Sequence, residues 1–132
     1  MSRLFLLLPA AVLLVACSHR YKPAEKGADV EGRSVVTLHP ELSGHVHLVK
    51  HNASRTADGR LLVRVVLSSN RRGDLALIGR TEWLDENRNN VGNGEWRHFM
   101  LPSGTTAVYE SSSLDTRAVG YSVAVRPASS NR

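Results

Sequence analysis

The chain has 132 residues, a formal net charge of +5 at pH 7 and a single cysteine. This length allows one domain and leaves too little chain for two. With one cysteine no intramolecular disulfide can form, so apolar packing has to hold the core. The basic residues are spread along the chain, with Arg71-Arg72 as the only adjacent pair. We therefore expect no nucleic-acid binding, because that function needs positive charge clustered on one face.

The N-terminal segment is typical of an export signal. A basic start at Arg3 is followed by the twelve-residue apolar run Leu4–Val15, which is too short for a bilayer, since spanning takes ~20 residues. The run ends in Leu14-Val15-Ala16-Cys17, which resembles the lipobox of bacterial lipoproteins. We predict a signal peptide over residues 1–16 and a lipid-modified Cys17.

The lipobox resemblance implies that the Cys17 thiol receives a diacylglycerol and that the new amino group is acylated, with palmitate as a typical chain. Two or more acyl chains anchor a protein stably to a membrane. Ser18 is not the aspartate that typically marks inner-membrane retention, so the resemblance implies the periplasmic face of a Gram-negative outer membrane. Residues 17–33 are polar and contain Pro23, Gly27 and Gly32, which predicts a flexible tether.

From residue 34 to 127 the hydrophobic pattern has a period of two, which predicts an all-β domain. In 60–68, Leu61, Val63, Val65 and Leu67 share one face. Two further strands are predicted over 75–84, where Trp83 would be a core anchor, and over 118–126. The weaker candidates are 34–38, 45–50, 95–101 and 105–111. Turn residues between them, including all of 85–94, predict a disulfide-free immunoglobulin- or fibronectin-like sandwich of about seven strands, with a frayed tail over 128–132.

Several short motifs together resemble the YcfL-like family of outer-membrane and periplasmic lipoproteins. They are Val35-Val36, Leu67-Ser68-Ser69-Asn70, Arg80-Thr81-Glu82-Trp83-Leu84-Asp85, Trp96, Leu101-Pro102-Ser103-Gly104 and Tyr121-Ser122-Val123-Ala124-Val125-Arg126. The resemblance covers nearly all of the folded part and implies an envelope lipoprotein with an immunoglobulin-like sandwich and no established catalytic residues. This sequence departs from the family at Asn87-Arg88-Asn89-Asn90, where a short glycine turn is usual.

Nothing in the sequence favours catalysis. The serines form neither a Gly-x-Ser-x-Gly elbow nor a Ser-x-x-Lys pair. Asp85 and Glu86 are adjacent, and adjacent strand residues point to opposite faces, so they make a poor acid/base pair. We expect a protein that is not an enzyme and has no cofactor.

The segment His45-Val46-His47-Leu48-Val49-Lys50-His51 offers a possible metal site. In a regular strand, His45, His47 and His51 would share a face, as the ligands of some zinc sites do. Val49 interrupts the row, and no carboxylate or cysteine lies at a suitable spacing. The pattern favours surface histidines, with a metal- or small-ligand-binding lipoprotein as the alternative function.

Trp96, Arg97 and His98 are the candidate partner-binding residues. If Phe99 and Leu101 face the core, Trp96 and His98 point outwards, where a tryptophan beside an arginine suits a protein contact. The sequence favours the alternative, that Trp96 closes one end of the core. The leading hypothesis is a non-enzymatic accessory lipoprotein that is tethered by Cys17 and binds an envelope protein complex.

Overall fold

The computed structural model describes residues 34–129, which form two β-sheets packed face to face. A single 3₁₀ turn, Pro40–Leu42, follows the first strand. The eight strands are β1 Val35–Leu38, β2 Val46–Arg55, β3 Leu61–Ser69, β4 Leu75–Leu84, β5 Asn90–Asn93, β6 Arg97–Leu101, β7 Thr106–Ser112 and β8 Gly120–Pro127. The prediction of an all-β, disulfide-free sandwich is confirmed.

The larger sheet has five strands, with β4 at its centre. On one side β4 pairs with antiparallel β8, and β8 in turn pairs with parallel β1 at the edge. On its other side the first half of β4 pairs with β6 and its last residues pair with β5. These two short strands therefore share the opposite edge of the sheet. The smaller sheet has the order β2-β3-β7 and is antiparallel throughout.

The core lies between the sheets and is built by the predicted alternation. In β3, Leu61, Val63, Val65 and Leu67 are all fully buried, because alternate residues of a strand point to one side of its sheet. Trp83 is only 4% exposed on the central strand β4, which confirms its prediction as a core anchor.

The predicted turn over 85–94 is shorter in the structure, and the eighth strand arises from this difference. The Asp85 carboxylate accepts hydrogen bonds from the backbone N–H groups of Asn87 and Asn89, at 2.8 and 2.9 Å. These bonds close the turn within five residues, and Arg88 takes the left-handed φ of 64° that such a reversal requires. The chain then pairs back onto β4 as β5, Asn90–Asn93.

The C-terminal boundary lies slightly beyond residue 127. The Ala128 N–H donates to the Ala76 carbonyl at 2.9 Å, so the bonding pattern of the sheet extends one residue into the predicted tail. The rest of the tail from residue 130, and all of residues 1–33, lie outside the described part of the chain.

Two polar contacts join the sheets through the core. The Tyr109 hydroxyl of β7 lies 3.0 Å from Thr81 Oγ1 of β4, and the Tyr121 hydroxyl of β8 lies 2.6 Å from His51 Nδ1 of β2. Tyr109, Thr81 and Tyr121 are almost fully buried, and a buried hydroxyl without a partner is costly. The two contacts therefore favour one alignment of the sheets.

Gly79 allows the Tyr109 ring to lie against β4. A Cβ atom placed on Gly79 would come within 2.7 Å of Tyr109 Cε2 and 2.9 Å of Cδ2, well inside van der Waals contact. A glycine is therefore required here because of close approach between the sheets and not because of its backbone angles.

We predict that Gly79→Ala destabilises the fold by about 1–3 kcal/mol, the usual cost of overpacking a core. Urea unfolding followed by circular dichroism would measure the loss. In a Tyr109→Leu background the same substitution should cost less, because the ring that it strikes is absent. An equal cost in both backgrounds would show that the ring contact is not the cause.

Candidate functional site

The outer face of the five-stranded sheet carries exposed apolar side chains beside basic ones. Ile78 of β4 lies opposite His98 of β6 and also opposite Arg126 of β8. The neighbouring row in β4 and β6, Leu77 with Phe99, packs into the core. By strand alternation Ile78, His98 and Arg126 therefore point away from the core.

Trp96 lies on this outer face. The Arg126 guanidinium carbon is 4.2 Å from the centroid of its ring, the geometry of a cation–π contact. Ile78 is only 6% exposed although it points outwards, so the outer side of the sheet is covered at this position. Met100, opposite Ala76, is 53% exposed on the same side. We call Trp96, His98, Met100, Arg126 and Ile78 the Trp96 face.

The three predicted binding residues, Trp96, Arg97 and His98, do not lie on the same face of the sheet. Trp96 is 36% exposed and lies outside the core cluster, so it does not close one end of the core. His98 shares its face, but Arg97 lies opposite Gly79, which faces inwards. The Arg97 side chain instead extends to β7, where Nη1 donates to the Glu110 carbonyl at 3.0 Å. Adjacent strand residues point to opposite faces, which separates Arg97 from the other two.

The sequence did not predict two arginines on the outer side of this sheet, Arg126 of the Trp96 face and its neighbour Arg80. Arg80 and Arg126 each have an Nε atom that is shielded from solvent and has no hydrogen-bond partner within residues 34–129. With the Asn93 side-chain oxygen turned towards it, Arg80 Nη2 donates at 3.2 Å. The ion pairs of the described chain are Arg60–Asp58, Arg64–Glu110 and Arg117–Asp115, so no carboxylate of residues 34–129 forms an ion pair with Arg80 or Arg126.

The histidine segment does not form a cluster, because β2 contains a bulge. Its register against β3 shifts between Leu48 and Lys50, and one extra residue reverses the faces of every residue after it. His47 lies opposite Ser68 on the outer side, whereas His51 reaches inwards to Tyr121. His45 precedes the strand. The expectation that the three imidazoles share a face is wrong, and residues 34–129 hold no group of three metal-ligating side chains.

A groove of about 880 Å³ opens on the side of the sandwich where β5 and β7 diverge. Arg97 and Ser112 lie on its wall, and Leu114, 89% exposed, stands at its rim. Next to Leu114, Asp115 accepts hydrogen bonds from both the backbone N–H and the guanidinium of Arg117, at 2.8 and 2.7 Å. These bonds lower the pKa of the Asp115 carboxyl from 3.8 to about 2, so it stays charged at neutral pH.

The lipidation residues lie outside the described part of the chain. Cys17 and the lipobox residues Leu14, Val15 and Ala16 precede residue 34, so their modification stays a prediction. Between residues 34 and 129 there is no helix long and apolar enough to cross a membrane.

Solved structures show where this fold occurs. The Campylobacter jejuni protein cj0090 superposes with a TM-score of 0.61 at 20% identity, over 70% of this chain and 96% of that chain. A DUF1425 family member from Shewanella sp. pv-4 superposes with a TM-score of 0.57 at 25% identity, over 65% of this chain and 81% of that one. No protein-family model and no curated protein matches the sequence. The β-sandwich is thus shared with a DUF1425 family member, which is consistent with the YcfL-like resemblance.

We predict that Arg117→Gln raises the pKa of Asp115 from about 2 towards its ordinary 3.8. The folded-state pKa is lowered, so the pair stabilises the folded loop above pH 3.8, and this contribution is lost as the pH falls to about 2. Carbon-detected NMR titration of the Asp115 carboxyl would measure both values. An unchanged pKa in the variant would show that Arg117 does not cause the shift.

Proposed function

We propose that this protein is a YcfL-like lipoprotein of the cell envelope, anchored by an acylated Cys17, whose β-sandwich binds a protein partner and performs no catalysis. The lipobox residues and the family resemblance support the anchor. A fold shared with a DUF1425 family member supports the family. The Trp96 face is the observation that carries the binding role.

The chemistry of the Trp96 face suits a protein contact. Tryptophan, methionine and arginine are enriched in interfaces, and tryptophan and arginine contribute most often to the binding energy. Here Trp96 and Met100 are exposed beside Arg126. Stacking on Arg126 restricts the Trp96 ring before any partner arrives, and a restricted side chain loses less entropy on binding.

The tether would let this face search for a partner near the membrane. Residues 17–33 could span up to roughly 60 Å at ~3.4 Å per residue. A domain confined in this way meets a membrane-bound partner at a raised effective concentration, without any additional contact. We infer an outer-membrane or periplasmic partner complex on this basis.

The contacts of the described residues support binding rather than catalysis. Asp115 is the carboxyl group with the largest pKa shift in this part of the chain, and its hydrogen bonds to Arg117 account for the shift. The alternative of a metal- or small-ligand-binding lipoprotein depended on the histidine strand. We do not propose it, because the bulge in β2 separates His47 from His51.

We predict that Trp96→Ala lowers capture of the partner by at least about tenfold, the effect expected of an interface tryptophan. The measurement is cross-linking in intact envelopes followed by affinity purification and quantitative mass spectrometry. Val108→Ala is the matched control, since Val108 is a 55% exposed apolar residue on β7 of the other sheet. Loss of capture with Val108→Ala but not with Trp96→Ala would place the binding surface elsewhere.

The anchor has its own test. Metabolic labelling with an alkyne analogue of palmitate should mark the wild-type protein, and Cys17→Ala should abolish the label and release the protein from the membrane fraction. Cys17 is the only cysteine, so no second thiol can take the label. An unlabelled wild-type protein would overturn the lipoprotein assignment while leaving the Trp96 experiment valid.

A further inference from the structure

We propose that Arg80 and Arg126 together form a carboxylate-binding pair on the Trp96 face, so that the partner docks through an acidic protein segment. This inference rests on the proposed function, because it specifies the chemistry of the partner at the same face. It is carried by the register of β4 and β8, by the stacking of Arg126, and by the absence of an ion-pair partner for either arginine within residues 34–129.

The two arginines are diagonal neighbours on one surface. Arg126 lies opposite Ile78, and Arg80 lies opposite Ala124, two residues along each strand. Diagonal positions in an antiparallel pair are ~7–8 Å apart, within reach of long side chains. Both side chains therefore border the same small area of the sheet, beside Trp96.

Both guanidinium groups are held in place and still have unused donors. Arg126 lies against the Trp96 ring, and Arg80 donates to the turned Asn93 amide. The Nε donor of each is shielded from water with no acceptor in the described chain. Because these two Nε atoms are shielded, an incoming carboxylate would meet the terminal Nη donors of the two part-exposed side chains.

An aspartate or glutamate side chain fits this arrangement best. The planar guanidinium matches the two oxygens of a carboxylate. The surroundings are a sheet face with Trp96, Met100 and the nearly buried Ile78, which favours a protein segment that brings apolar side chains beside its acid. A strand face lacks the deep concave pocket that usually encloses a small ligand.

Glu82 provides an internal check on this proposal. It lies two residues beyond Arg80 on β4, and so on the same face, but it makes no ion pair with Arg80 or Arg126. Its negative charge should oppose an acidic ligand. Removing that charge should therefore tighten binding, whereas removing either arginine should weaken it.

The test uses the lipidated protein in a neutral detergent, with a capped tetraglutamate peptide as the probe and tetraglutamine as its uncharged match. Isothermal titration calorimetry at low salt should show that tetraglutamate binds and that tetraglutamine does not. Arg80→Gln and Arg126→Gln should each weaken binding by about tenfold, Arg126→Lys should fall between, and Glu82→Gln should strengthen it by a few-fold. Unfolding midpoints of the variants would confirm that each one folds.

Arg72→Gln is the control for charge alone. Arg72 is an exposed arginine of the bend that follows β3, and its substitution should leave the affinity within about twofold of wild type. Equal weakening by Arg72→Gln and Arg126→Gln would overturn the pair, as would failure of tetraglutamate to bind. Tighter, arginine-dependent binding of a polygalacturonate tetramer or of phosphatidylglycerol vesicles would replace the peptide with an acidic glycan or lipid. The Trp96→Ala capture experiment tests the proposed function independently of all these outcomes.

Discussion

The contact between Tyr109 and β4 is the constraint on which the arrangement of the two sheets depends. The ring of Tyr109 occupies the space over Gly79 where any side chain would collide with it, and its hydroxyl meets Thr81 two residues further along. Because Gly79 and Thr81 thereby face the core, their neighbours Ile78 and Arg80 must point outwards. The Tyr109 contact thus acts together with the buried side chains of Leu77 and Trp83 to decide which side chains β4 contributes to the outer surface.

The sequence was sufficient for the core because burial leaves a local pattern. Leu61 to Leu67 alternate strictly, and so do the inward residues of β4 down to Trp83. The bulge in β2 left no such signal, since Leu48, Val49 and Lys50 read as part of a regular strand. It reversed the faces of the histidines that follow, and a bulge is set by pairing with β3 and not by the residues alone. This is why the histidines do not share a face as they would in a regular strand, although the strand itself was found.

The candidate site was predictable only in the part that one strand determines. On the condition that Phe99 faces the core, alternation through β6 put Trp96 and His98 outside, and the structure has them there. The favoured expectation that Trp96 closes the core was wrong. Arg80 and Arg126 are 46 positions apart in the chain and become neighbours only because β4 pairs with β8. Such a pairing is a long-range property, and a single sequence contains no local pattern that specifies it. Arg97 shows the same limit, because its partner Glu110 lies on a different sheet.

The path of the chain relates the Trp96 face to the proposed anchor. β1 runs parallel to β8, with Val35 beside Ser122, and the Ser34 hydroxyl accepts a hydrogen bond from the Tyr121 N–H at 3.3 Å. The chain therefore enters the domain where β8 begins. Arg126 lies four residues further along β8 than Ser122, which is ~13 Å at the rise of a strand. The Trp96 face therefore lies towards the opposite end of the same sheet from the point where residue 34 enters the domain. Under the proposed anchoring, a partner could therefore reach the two arginines without meeting the segment that leads from residue 34 to the membrane.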